Sequence, residues 1–441
     1  MTLHRLIDSR LMASLLGTVA LLLSACSPTA APSPTAAKPA ASATSSGASD
    51  AKPAASPAIS PAASPAASPA ASPAASPAAQ VNAPAASAPV SLSGTAKLGA
   101  VFSQTGAGAQ YGVTQKNGVQ LAVDEINASR ALGDAKIEVV FEDDASDKAP
   151  GINAFQKLIN QDRVLAIIGP TLSNTAQATD PAAQSAGVPV LGVSNTAGGI
   201  TEIGNFIFRD SLTEAQVIPQ TVAAVKEKAN VQKAALLYGN DDAFTQAGYE
   251  VMKKSLVDSG IQITSEQTFA KGDKEFSAQL TVIRGTNPDA LFVSALVDEA
   301  VGIVTQARRL GMDKTPIVGG NGFNSPALMK GADTAAEGVI VGAAWNSAST
   351  NTKSQDFIRN YKARYNSDPD QFATQAYAGV YIMAEGLKNA KSVTDRQALR
   401  DGLTKVSNLD TALGTFSFTD GRDAQHPAVV QIVRNGAFAV Y

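Results

Sequence analysis

The chain predicts an α/β fold of two doubly wound, Rossmann-like lobes, on three observations. Short apolar runs alternate with amphipathic helical stretches, this rhythm restarts once near residue 234, and residues 94–441 are too many for one ordinary core. In the first run, residues 97–103 (KLGAVFS), 136–143 (KIEVVFED), 164–168 (VLAII) and 188–193 (VPVLGV) read as strands. Val119, Ala122, Val123 and Ile126 mark one helix face between them, and Ile152, Phe155 and Ile159 another. The second run has its strands at 234–238, 261–268, 290–295 and 317–319. Strands separated by helices pair in parallel, and a parallel sheet is covered on both faces.

The last third breaks the alternation. Residues 354–365, 372–389 and 395–406 read as consecutive helices, and 428–433 and 437–441 as a hairpin turning at Asn435-Gly436. Helices this late return to cover the first lobe. The expected division is therefore 94–212 with 345–425 for the first lobe, and 213–344 with 426–441 for the second.

Residues 1–25 carry His4, Arg5 and Arg10, then an apolar run, then small residues, the layout of a secretory signal. Leu23-Ser24-Ala25-Cys26 resembles the lipobox of bacterial lipoproteins, which implies acylation of the Cys26 sulfur and cleavage just before it. Cys26 is the only cysteine, so it has no disulfide partner in its own chain. Residues 26–93 are almost wholly Ala, Pro and Ser, with Ser-Pro-Ala-Ala repeating between 60 and 79. Such a segment cannot bury enough apolar surface to order itself, and its prolines favour an extended tether, up to roughly 200 Å at full stretch.

Several chemistries are excluded. A net charge of −3 without a Lys/Arg run disfavours nucleic acid as a partner. After cleavage one histidine, His426, remains, so neither a His/Cys metal cluster nor a convincing Ser-His-Asp arrangement is available, and His426 reads as a surface or packing residue. Gly106-Ala107-Gly108 lacks the third glycine of a dinucleotide loop, because Tyr111 stands there, and no P-loop occurs. The chain is expected to be no enzyme and to need no cofactor.

In open parallel sheets, ligands sit beyond the carboxyl ends of the strands. The segments 103–111 (SQTGAGAQY), 169–175 (GPTLSNT) and 192–199 (GVSNTAGG) all follow first-lobe strands. Backbone N–H groups at a helix start, with the Ser173 and Thr196 hydroxyls, make a receptor for a carboxylate, although Ser173 serves equally well as a helix cap. Of the paired acids, Glu142-Asp143-Asp144 reads as a solvated strand end, whereas Asp241-Asp242 and Asp298-Glu299 follow second-lobe strands and reach toward a ligand.

Ala109-Gln110-Tyr111-Gly112, the stretch from Leu121 to Asn127 (LAVDEIN), Glu142-Asp143-Asp144, Ile168-Gly169-Pro170, Gly187-Val188-Pro189-Val190 and Gln306-Ala307-Arg308 together resemble the type I periplasmic solute-binding proteins. The nearest branch is the leucine/isoleucine/valine-binding group of ABC importers. The resemblance covers residues 96–441 and implies a Venus-flytrap, two lobes on a multi-stranded hinge closing on a solute. It implies that Tyr111 lines the pocket, that Ser173 and the Ser194 backbone hold the solute's carboxylate, and that Thr196 holds its amine. Phe244 matches a second-lobe aromatic if one residue is inserted, while Ala295-Leu296-Val297 shortens a loop that carries a tyrosine in the family. Asn321 stands where the family has an amine-binding glutamate. Either Asp242, Asp298 or Glu299 turns inward to replace that acid, or the solute has no free amine. Amino acids, amides, ureas and aromatic or aliphatic carboxylates remain open as solutes. The function implied is delivery of such a solute to ABC permease subunits from outside the cytoplasmic membrane, with the acylated Cys26 in the lipid bilayer. The alternative is a sensor of the same fold that signals to a partner protein.

Overall fold

A computed structural model describes residues 92–441. The expectations for the signal 1–25, for Cys26 and for the tether up to residue 91 lie outside the described residues.

The first sheet contains β1 (Leu92–Phe102), β2 (Gly133–Asp143), β3 (Ala166–Ile168), β4 (Val190–Gly192) and β5 (Ile207–Arg209), in the order β2-β1-β3-β4-β5. All its pairings are parallel. Helices α1 (Ala109–Ser129), α2 (Lys148–Gln156) and α3 (Ser173–Ser185) connect the strands. Burial alternates along β3: Ala166 and Ile168 join one apolar cluster with Val119 and Ile126 of α1, whereas Ile167 joins another with Phe155 and Ala176. A strand buried on both faces is apolar throughout, which is why this one reads as an unbroken run.

The chain then enters a second sheet through α4 (Glu214–Ala229), β6 (Lys233–Gly239), α5 (Ala243–Asp258), β7 (Gln262–Phe269), α6 (Ser277–Gly285), β8 (Ala290–Ser294), α7 (Val297–Arg309), β9 (Ile317–Gly319), α8 (Pro326–Ala332) and β10 (Ile340–Ala343). Along β8, Leu291 and Val293 face α7 residues such as Ile303, and Phe292 faces Val222 and Met252. Both lobes are thus layered alike.

After β10 the chain returns to the first lobe as α9 (Thr352–Tyr365), α10 (Gln371–Ala390) and α11 (Arg396–Leu403). Ala376, Val380, Met383 and Leu387 of α10 share a core with Leu98 of β1 and Val123 of α1. A small antiparallel sheet, β11 (Leu409–Thr411), β12 (Gly414–Phe418) and β13 (Ala424–Gln425), precedes the last crossing. Strands β14 (Val429–Arg434) and β15 (Ala437–Val440) then extend the second sheet, in the order β15-β14-β10-β9-β8-β6-β7. Asn435 and Gly436 have φ of 53° and 72°, the paired left-handed conformation of a tight hairpin turn.

Several details differ from the sequence reading. β1 starts at Leu92, inside the segment 26–93 read as tether, because Leu92 is buried and aligns with Gly133 of β2. β5, β10 and the small sheet were not expected; the strands are short, and β10 also has a partner far away in sequence, β14.

Candidate functional site

A small cavity of about 20 Å³ lies between the lobes, walled by Tyr111, Thr171, Leu172, Ser173, Ser194, Phe244, Leu296, Asn321, Gly322 and Phe372. Its first-lobe wall comes from the loops after β3 and β4. Leu172 precedes α3 without a side-chain cap, so the first-turn N–H groups of that helix keep their affinity for an anion. Ser173 does not cap its own helix. Its Oγ accepts hydrogen bonds from the backbone N–H groups of Thr196 and Ala197, both at 3.2 Å, and fastens one loop to the next. That leaves the hydroxyl proton for an anion.

Ser194 lines the cavity, but its hydroxyl is occupied. It donates to the Thr171 carbonyl at 2.6 Å and accepts from Gln115 Nε2 at 2.8 Å, and Thr171 Oγ1 donates to Gln115 Oε1 at 2.7 Å. Gln115, buried on α1, thereby sets both loops.

Tyr111 crosses between the lobes. Its hydroxyl donates to the Gly322 carbonyl at 2.8 Å and accepts from the Val297 N–H at 2.7 Å. Its ring packs on Phe372 with centroids 4.2 Å apart. Burial pushes the phenol well above its usual range, so the proton stays on at any physiological pH. Tyr111, Phe372 and Phe244 form an aromatic enclosure over the polar floor.

Thr196 and Asp242 do not wall the cavity. Thr196 Oγ1 donates to Glu214 Oε1 at 3.1 Å instead. Asp242 caps α5 by accepting from Phe244 N at 2.9 Å and takes Asn174 Nδ2 of the first lobe at 2.6 Å. The Asp-x-x start of a helix drew the side chain back to its own backbone. Glu299 is buried within α7 and accepts from Gly272 N at 2.8 Å, and Asp298 is exposed. None of these acids turns into the cavity.

An acid missed in the sequence stands behind Asn321. Glu214, the first residue of α4, is 2 % exposed and receives Asn321 Nδ2 at 2.8 Å. Burial raises its carboxyl to about 7, opposed by the hydrogen bonds from Asn321 and Thr196. Asn321 Oδ1 in turn accepts from Gln371 Nε2 at 3.1 Å. Glu214 carried no local signal, because an acid in the first turn of a helix is ordinary. Phe372, Leu172 and Leu296 were also missed; apolar residues at element starts look like core.

His426 lies away from this cavity. Its Nε2 is 3.3 Å from the Asp210 carbonyl, its ring is 6.3 Å from that of Phe416, and burial lowers it to about 4. It packs where the chain crosses between lobes.

Residues 95–437 match the profile of the family described as periplasmic binding protein. The chain belongs to that family. It is 31% identical to the branched-chain amino acid transporter substrate-binding protein LivJ of Streptococcus pneumoniae, solved with isoleucine. The match covers 78% of this chain and 98% of that one, with a TM-score of 0.72. It is 26% identical over 344 residues to the Leu/Ile/Val-binding protein BraC3 of Rhizobium johnstonii, covering 77% of this chain and 90% of that relative. It shares its fold with a solute-binding protein of an ABC transporter from Rhodopseudomonas palustris, solved with benzoate, at 23% identity and a TM-score of 0.72. That match covers 79% of this chain and 95% of that one. This periplasmic binding protein therefore has the two-lobed type I fold of an extracytoplasmic, non-enzymatic solute-binding family. No helix among its described residues is long and apolar enough to cross a membrane.

Proposed function

We propose that this binding protein is the lipid-anchored capture component of an ABC importer. It closes its lobes on a small amino-acid-like or carboxylate-bearing solute and delivers it to permease subunits. The observation that carries the reading is the cavity between the lobes, with the uncapped start of α3 and Ser173 on one wall and Tyr111, Phe244 and Phe372 on the other. An anionic head held by N–H groups and an apolar tail held by aromatic rings satisfy both halves. The relatives solved with isoleucine and with benzoate support a carboxylate as the common feature. Anchoring rests on the sequence around Cys26.

Tyr111, Ser173, the Ser194 backbone, Phe244 and Asn321 are the proposed contact residues. Thr196 acts from behind the wall through Glu214, and Asp242 by holding α5 and Asn174 in place. A thermal-shift screen over amino acids, amides, ureas and aromatic acids tests the assignment. At least one carboxylate raises the melting temperature in a concentration-dependent way. Shifts confined to uncharged amides or ureas would reject the carboxylate.

A further inference from the structure

A second cavity, of about 280 Å³, adjoins the first across a shared partition. Gln371 and Phe372 are consecutive at the start of α10, yet Phe372 lines the solute cavity and Gln371 the second one. Between the two, Gln371 Nε2 donates to Asn321 Oδ1 at 3.1 Å. Asn324 and Met329 of the second lobe, Phe438 of β15, Trp345 just past β10 and Asp370 just before α10 all line this space. Both lobes and the chain that crosses between them thus contribute walls.

Its polar side is tied together by a row of amides. Asn346 Nδ2 donates to Gln431 Oε1 at 2.6 Å, Gln431 Nε2 to Asn324 Oδ1 at 2.5 Å, and Asn324 Nδ2 to Gln371 Oε1 at 2.7 Å. All four side chains are buried and line the cavity. The Asn346 and Gln431 nitrogens have each spent one of two protons in this row, so it is fixed in place and keeps donors to spare. Trp345, Met329 and Phe438 supply the apolar side. Trp345 Nε1 donates to Ser354 Oγ at 2.9 Å, which leaves the cavity the indole ring itself, and the face of such a ring attracts a cation.

The charge of this cavity has one sign. Asp368 and Asp370 line it, and among the described residues no Lys, Arg or His does. Asp368 sits at the exposed rim, paired with Lys362 at 2.5 Å. Asp370 is 5 % exposed, and its donors are the Thr114 hydroxyl at 3.0 Å, the Ala373 N–H at 2.8 Å and the Phe372 N–H, all neutral. Neutral donors compensate a buried carboxylate only in part, and a facing cation completes the compensation. A carboxylate would meet Asp370 and no cation there, so the two cavities suit opposite charges. We propose that the second cavity is a separate binding site for a small amphipathic organic cation, an ammonium carried on an aromatic or aliphatic body. Since its walls come from both lobes, an occupant favours the arrangement of lobes that assembles them.

Trp345 is the single tryptophan of the chain and lines this cavity but not the first, so its emission reports occupancy. The full chain is titrated at about pH 8, where Asp370 is ionised and an aliphatic amine protonated, with 2-phenylethylamine and with the uncharged 2-phenylethanol. The amine should shift the emission saturably and bind roughly tenfold or more tightly than the alcohol. Asp370→Asn should remove most of that difference. Ala437→Phe, which fills the cavity from an exposed position on β15, should weaken both ligands by about tenfold or more. This variant keeps the test decisive if Asp370→Asn, which alters the cap of α10, fails to fold. The absence of a saturable shift, an alcohol that binds as tightly as the amine, a preference untouched by a folded Asp370→Asn, or amine binding untouched by Ala437→Phe would each overturn the assignment. Capture of a carboxylate in the first cavity stands or falls separately.

Discussion

Asn321 Nδ2 lies 2.8 Å from Glu214 Oε1, joining the wall of the cavity to the first turn of α4. An amide at position 321 has no charge to offer a solute, and its Nδ2 is committed to the buried acid behind it. Burial disfavours the ionised form of that acid and leaves the cavity wall neutral.

The same burial makes stability depend on pH. Glu214 and Asp370 are both raised to about 7 by desolvation, from 4.5 and 3.8. Their folded forms hold protons that the unfolded chain gives up between about pH 4 and 7, so the stabilisation is complete below the unfolded values and is lost as pH rises through 7. The stability of the ligand-free protein should fall across that window, by an amount on the order of 3 kcal/mol per group, and its melting temperature with it. Glu214→Gln and Asp370→Asn should each flatten the slope. A melting temperature that rises steadily from pH 4.5 to 7.5 would contradict the burial of these acids as neutral groups.

Ser173→Ala should show two effects together. It removes a proton donor from the anion site, which weakens carboxylate binding about tenfold. It also leaves the N–H groups of Thr196 and Ala197 without their acceptor, at a cost of roughly 1–3 kcal/mol. Titration calorimetry and thermal melting of one sample separate the two. Loss of affinity with unchanged melting would mean that the loop finds another acceptor.

The strand ends were legible because buried parallel strands leave unbroken apolar runs, and the loops after β1, β3 and β4 could be placed from those runs alone. Tyr111 and Ser173, named from those loops, both line the cavity. Phe372, which lines the cavity, and Glu214, which stands behind Asn321, were not named, since each is brought there only by the path of the chain between lobes. Phe372 belongs to a helix that returns from the second lobe, and Glu214 follows the first crossing. Asp242 was read as facing a solute, and its backbone claimed it first. β5 and β10 were not read, although β3, β4 and β9 are as short.

Cys26→Ser should abolish acylation, and the chain should then partition into the soluble fraction or keep its leader. Membrane fractionation with mass spectrometry of the processed N-terminus reads both. A variant still cleaved before position 26 and still membrane-bound would refute anchoring through that sulfur.

Tyr111→Phe isolates closure from contact. The ring keeps its place against Phe372, so the aromatic wall survives, but the hydroxyl that joins the Gly322 carbonyl and the Val297 N–H is gone. Both partners belong to the second lobe and Tyr111 to the first, so these bonds exist only when the cleft is shut. Each contributes about 1 kcal/mol to the closed form and nothing to the open one. The loss of both should weaken binding by roughly thirtyfold, chiefly through faster release, because the hydroxyl acts after the solute has entered. Stopped-flow association and dissociation rates separate this from a change in the initial encounter. Scattering at saturating solute should show a larger radius of gyration for the variant if the closed form is less populated. An unchanged dissociation rate would mean that the solute and the other bonds between lobes, such as Asn174 to Asp242, hold the cleft shut without Tyr111.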